Sequence, residues 1–100
     1  MTTKDYLAQL ERNAKEDLAL VTIKSKDYAD HDNPFKNFEL SSQISGVPVA
    51  QGIMVRLADK MVRAANLLTR DNVVKDEKID DTLRDMRNYS NILSVYLENK

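Results

Sequence analysis

The chain has 100 residues, with 15 Lys and Arg against 16 Asp and Glu, no Cys, no Trp, two Gly and two Pro. A chain of that length forms one domain, residues 1–100, with room for one modest core. The missing cysteines exclude a disulfide framework, a cysteine-ligated zinc site and a thiol nucleophile. A net charge of -1 makes no case for nucleic-acid binding.

Few glycines and prolines argue against a turn-rich all-β fold. Neither GxGxxG nor GxxxxGK[ST] occurs, so no glycine-rich phosphate loop is expected. The opening segment MTTKDYLAQLERNAKEDLAL is charged throughout, unlike a signal peptide. No run approaches the ~18 apolar residues of a membrane span. The expectation is a cytoplasmic protein with no membrane partner.

The first predicted element is a helix from about Thr3 to Lys24. Thr2 or Thr3 serves as its N-cap, with Asp5 in the first turn. Leu7, Leu10, Ala14, Leu18 and Val21 recur at helical spacing as one apolar stripe. Glu11 and Lys15 form an i,i+4 pair on the other side.

A polar, aromatic-studded connection follows from Lys24 to Gly46. Asp27, Asp30, Asp32 and Asn33 before Pro34 are turn formers. Pro34 opens a short helix that carries Phe35 and Phe38 inward. A connection this long is expected to have a function of its own.

The third segment is a helix from about Pro48 to Thr69. Ile53, Leu57, Met61, Ala64 and Leu68 share one face, widened by Met54, Ala58, Val62 and Ala65. Its narrow polar side holds Arg56, Asp59, Arg63 and Arg70, with Lys60 at the edge. The last helix runs from about Asp76, its expected N-cap, to Leu97. Its main stripe is Ile79, Leu83, Met86, Ser90, Leu93 and Leu97; a second is Tyr89, Ile92 and Tyr96, continued by Asp81 and Asp85. The fold class is therefore all-α: an antiparallel bundle of three long helices plus one short one. The wide apolar faces predict self-association into a larger bundle, a homo-oligomer of two or more chains. The alternative is a monomer with the Phe35 and Phe38 segment as a lid.

Three constellations can carry chemistry. Glu77, Asp81 and Asp85 recur at i, i+4 and i+8. Carboxylates so placed can hold Mg²⁺ or Mn²⁺, or simply complement the helix dipole. Arg56, Asp59, Lys60 and Arg63 form either a surface ion-pair ladder or a phosphate grip with Asp59 orienting the cations or touching a metal. In KDYADHDNPFKNF, Lys26, His31, Lys36 and Asn37 can meet an anion, while Tyr28, Phe35 or Phe38 can stack on a base or plug the core. No nucleophilic triad or EF-hand loop is present.

Together, KDYADHDNPFKNF, RLADKMVRAANLL and VKDEKIDDTLRDMRNYSNIL resemble the nucleotide modification associated domain 1 family of small phage and bacterial all-helical proteins. That family is distantly similar to MazG-like all-α nucleoside-triphosphate pyrophosphatases. The resemblance covers roughly Lys24 to Leu97 and rests on Lys24/Asp27/Tyr28, Arg56/Asp59/Lys60/Arg63 and Asp81/Asp85/Tyr89. It implies nucleotide or phosphate binding by Asp27, Tyr28, Arg56, Lys60 and Arg63, to which the anion-contact reading adds Lys26, and Mg²⁺ held by Asp59, Asp81 and Asp85. The pyrophosphatase pattern has two or three glutamates where this chain has Arg56, Asp59, Lys60 and Arg63, a set better suited to gripping phosphate than to holding two metals.

The leading expectation is a phage-type protein that binds a nucleotide or nucleoside phosphate in nucleotide or DNA-modification metabolism. A Mg²⁺-dependent pyrophosphohydrolase-like turnover is one form of it, and catalytic residues are not assigned. The alternatives are a small protein that inhibits a host enzyme or defence system through a host partner, and one that sequesters a signalling nucleotide without turnover.

Overall fold

The computed structural model describes residues 1–27, 33–69 and 79–100, without the side chains of Lys26 and Asp27. The described residues form four helices and no strand: α1 (Thr3–Asp27), α2 (Lys36–Ser45), α3 (Val49–Thr69) and α4 (Ile79–Asn99). The all-α expectation is met. The expected N-cap Asp76, with Glu77 and Arg70, lies outside the described residues. The chain divides into two compact units, Met1–Pro34 and Phe35–Lys100, and each is described by itself.

In the first unit, Thr2 caps α1 reciprocally. The Asp5 amide donates to Thr2 Oγ1 at 3.1 Å, and the Thr2 amide donates to Asp5 Oδ2 at 3.3 Å. Two amide donors at the helix start, which have no partner within the helix, are thereby satisfied. Farther along, Lys15 Nζ meets Glu11 Oε1 at 3.2 Å, the expected i,i+4 pair. Arg12 donates to Gln9 Oε1, and Gln9 Nε2 donates to Asn13 Oδ1 at 2.9 Å. Leu7, Leu10, Leu18 and Val21 of the predicted stripe are exposed.

In the second unit, α3 packs along both α2 and α4. Phe35 immediately precedes α2, and its ring meets Tyr96 of α4 edge-on, with centroids 5.4 Å apart and planes at 76°. That geometry suits the ring quadrupoles. Helix α2 stops at Gly46, whose φ of 76° is left-handed and whose amide donates to the Ser42 carbonyl at 2.8 Å. Only glycine adopts that conformation without a Cβ penalty. Helix α3 starts three residues later, at Val49, with the Pro48 carbonyl accepting from the Gly52 amide at 2.9 Å. Proline suits a helix start because its missing N–H would find no partner there.

The core of this unit is small. Ile53 is fully buried, with Ala64 and Thr82 nearly so, and Leu57, Leu67, Met86, Tyr89, Ile92, Leu93 and Tyr96 are half-buried. Two expectations about faces change. On α3, Ile53 and Ala64 turn inward, while Met61 and Leu68 of the same predicted face stay exposed at 52% and 72%. On α4, the sheltered sector centres on Tyr89, from Thr82 through Tyr89 to Tyr96, leaving Leu83 and Leu97 of the predicted main stripe exposed. Met86 and Leu93 of that stripe stay half-buried alongside the tyrosines.

Candidate functional site

The polar edge of α3 borders a cleft of about 440 Å³, lined by Arg56, Asp59, Lys60, Val62, Arg63, Asn66 and Leu67 of α3 and by Tyr89 of α4. The helical repeat builds it. At about 100° per residue, Arg56, Asp59, Arg63 and Asn66 fall within roughly 80° of one another on α3. Lys60 lies roughly 40° farther round from Arg56, toward the buried Ile53 and Ala64. Its stem therefore runs beside α4 while its ammonium stays partly in water, as long basic side chains do at such edges.

The Lys60 ammonium meets Asp85 across the hairpin. Nζ lies 2.9 Å from Asp85 Oδ2, and the two side chains are 30% and 32% exposed. The contact is short and charge-assisted, and water at both side chains screens it. The Arg56, Asp59 and Arg63 ladder expected along α3 is not formed as ion pairs at Asp59 among the described residues. Lys60 of α3 is thus tied to Asp85 of α4.

The predicted metal carboxylates are not gathered. Asp59 lines the cleft, and Asp85 is taken by Lys60. Asp81, one turn before Asp85, is 70% exposed and lies 4.0 Å from Arg84 Nη1. Among the described residues no three Asp, Glu or His side chains come together as a metal-ligand group. Arg56, Lys60 and Arg63 against Asp59 and Asp85 leave these five residues one net positive charge. Cations gathered beside one exposed carboxylate and one already paired suit a phosphate oxygen better than a divalent cation.

Of the predicted nucleotide-binding residues, Arg56, Lys60 and Arg63 are brought together. Lys26 and Asp27 close α1 in the first unit, and Tyr28 and His31 lie outside the described residues. Lys36 and Asn37 begin α2 and are exposed. Phe35 and Phe38 are half-buried, and Phe35 serves the core through Tyr96. Val62, Asn66 and Leu67 also line the cleft, beyond the residues that the sequence places in it. Asn66 had a usable signal: it follows Arg63 by three, on the same polar side. No family model, curated protein or solved structure matches the chain.

Proposed function

We propose that the chain binds a nucleotide or nucleoside phosphate in the cleft between α3 and α4. The supporting observation is the grouping of Arg56, Lys60 and Arg63 in one cleft that also holds the half-buried ring of Tyr89. Guanidinium and ammonium groups give charge-assisted bonds to phosphate oxygens. An aromatic face offers a sequence-tolerant platform for a base. The resemblance to a phage and bacterial family associated with nucleotide modification points the same way. Asp27 and Tyr28 belong to this reading through that resemblance alone, and Lys26 through its place in KDYADHDNPFKNF, where it can meet an anion.

A panel of nucleosides and nucleotides, screened by thermal shift with and without Mg²⁺, tests the proposal. At least one phosphate compound should raise the melting temperature, and Lys60→Ala should remove that rise. No rise from any compound would end this reading. Mass spectrometry of the incubated ligand then separates turnover from sequestration, since a sequestering protein returns it intact.

A second reading has its own support. Met54, Val55, Met61, Val62 and Leu68 leave a broad side of α3 exposed. Such a side fits a protein partner, either a second copy of this chain or a host enzyme held inactive. Sedimentation of the wild type and of Met61→Lys distinguishes the two. A homo-oligomer should dissociate in the variant, whereas a monomeric wild type leaves only the host partner.

A further inference from the structure

We infer that α1 is a self-association surface: its apolar stripe packs antiparallel on the same stripe of a second copy of this chain, about a twofold axis at Ala14. This surface is distinct from the exposed side of α3, and the inference does not rest on phosphate binding.

The first observation is a face without cover. Leu7, Leu10, Leu18 and Val21 are 41–68% exposed, and Ala14 in their midst is exposed as well. Helix α1 is the only helix described in the unit Met1–Pro34. Helices in proteins draw most of their stability from packing an apolar side, so a 25-residue helix with this stripe calls for a partner.

The second observation selects the partner. From Leu7 the stripe advances by three, four, four and three residues. That spacing reads the same in both directions, with Ala14 at its centre. When two copies of one helix pair antiparallel about a twofold axis at Ala14, residues at equal distances on either side of it meet. Leu7 then faces Val21, Leu10 faces Leu18, and Ala14 faces itself. Every apolar residue meets an apolar residue, which at this axis only a palindromic stripe allows. A different partner makes no such demand on the spacing. Ala14 is also the middle of the stripe in angle, with the other four within roughly 40° on either side. Its small side chain lets the two helices approach closely where they cross.

A parallel pair fits less well. The 3.5-residue repeat of a two-stranded coil would take Leu7, Leu10 and Ala14, then Asp17, Val21 and Lys24. Asp17 is already buried in its own chain, at 7% exposure. The exposed stripe takes Leu18 instead. Leu7 to Leu18 and Leu10 to Val21 are each eleven residues, close to three turns, so the stripe runs nearly straight along the helix.

Charge at the stripe's edge agrees. Glu11 and Lys15 flank it on one side, joined at 3.2 Å and largely exposed. The antiparallel pair sets this edge against itself in reverse order. Glu11 then stands about 3 Å along the axis from Lys15 of the second copy, and the two glutamates bracket the two lysines.

The chain has no cysteine, so introduced cysteines report the geometry directly. Helix axes about 8–10 Å apart bring the two Ala14 Cα atoms within disulfide reach. Leu7 of one copy lies about 20 Å along the axis from Leu7 of the other. Arg12 points roughly 160° away from Ala14, so Arg12→Cys gives the rate of chance collision. On oxidation of the full chain, Ala14→Cys should form a covalent dimer at least about tenfold faster than Arg12→Cys. Leu7→Cys and Val21→Cys should each stay near the collision rate alone and cross-link to one another when mixed. Adding Leu10→Lys to Ala14→Cys should bring its rate down to that of Arg12→Cys, whereas adding Met61→Lys should leave it unchanged. Cross-linking of Leu7→Cys alone as fast as Ala14→Cys would mean a parallel pair and overturn the inference. So would an Ala14→Cys rate no higher than that of Arg12→Cys, and so would a dimer lost through Met61→Lys, which would belong to α3.

Discussion

Lys60 and Asp85 join the middle of α3 to the first half of α4 through a 2.9 Å contact between two side chains that each keep about a third of their surface in water. Partial exposure sets its value. Desolvation is limited, so the pair is not costly to form, and screening is substantial, so it is not strongly stabilising. A double-mutant cycle with Lys60→Met and Asp85→Asn, read by urea denaturation, should give a coupling energy of about 0.5–1 kcal/mol. Raising the salt concentration should shrink that coupling. A coupling well above this range would mean that the contact is effectively buried.

The two glycines should respond oppositely to alanine. At Gly46 an added Cβ meets nothing within 4 Å, yet φ is +76°, so the cost of Gly46→Ala is conformational: about 1–2 kcal/mol. Gly52 has equally open space around its Cβ position but lies inside α3. Gly52→Ala should therefore stabilise by about 0.5–1 kcal/mol. Paired thermal melts check both, and equal signs would contradict the assignment.

Isoleucines at the two extremes of exposure provide a further contrast. Ile53 is 0% exposed and Ile44 is 89% exposed. Ile53→Ala should cost about 2–5 kcal/mol through lost burial and a residual cavity. Ile44→Ala should stay within about 0.5 kcal/mol of wild type. Denaturation midpoints for the two variants measure the difference directly.

At the other end of the chain, Thr2→Ala removes one half of the reciprocal cap with Asp5. The expected loss is about 0.5–2 kcal/mol of local helix stability. Amide hydrogen exchange should show it as faster exchange at Asp5 and its neighbours, with little change in α3.

Much of the helical layout could be read from local signals. Thr2 with Asp5, Gly46 and Pro48 each mark a helix end within a residue or two, because capping and turn chemistry act over a few residues. The grouping of Arg56, Asp59, Lys60 and Arg63 was equally legible, since the helical repeat alone puts them on one side. What could not be read is which side of a nearly all-round apolar helix turns inward. Met61 and Ala64 are equivalent in pattern, and only the neighbours of α3 distinguish them. The partner of Lys60 was hidden for the same reason: three acidic residues open α4, and the register of the hairpin selects Asp85. Asn66 carries no charge, and its one signal is its place three residues after Arg63 on the same polar side.

The contact between Phe35 and Tyr96 has a topological consequence. Phe35 is the first residue of its unit and Tyr96 lies in the last turn of α4, so the two ends of this stretch of chain are already neighbours. A stretch whose ends meet can be rewired without being rebuilt. A short tether from Lys100 to Phe35, with new termini cut at the exposed corner of Gly46, Val47 and Pro48, would keep the hairpin and its cleft intact. The order in which the helices are translated would change while their arrangement in space stayed the same.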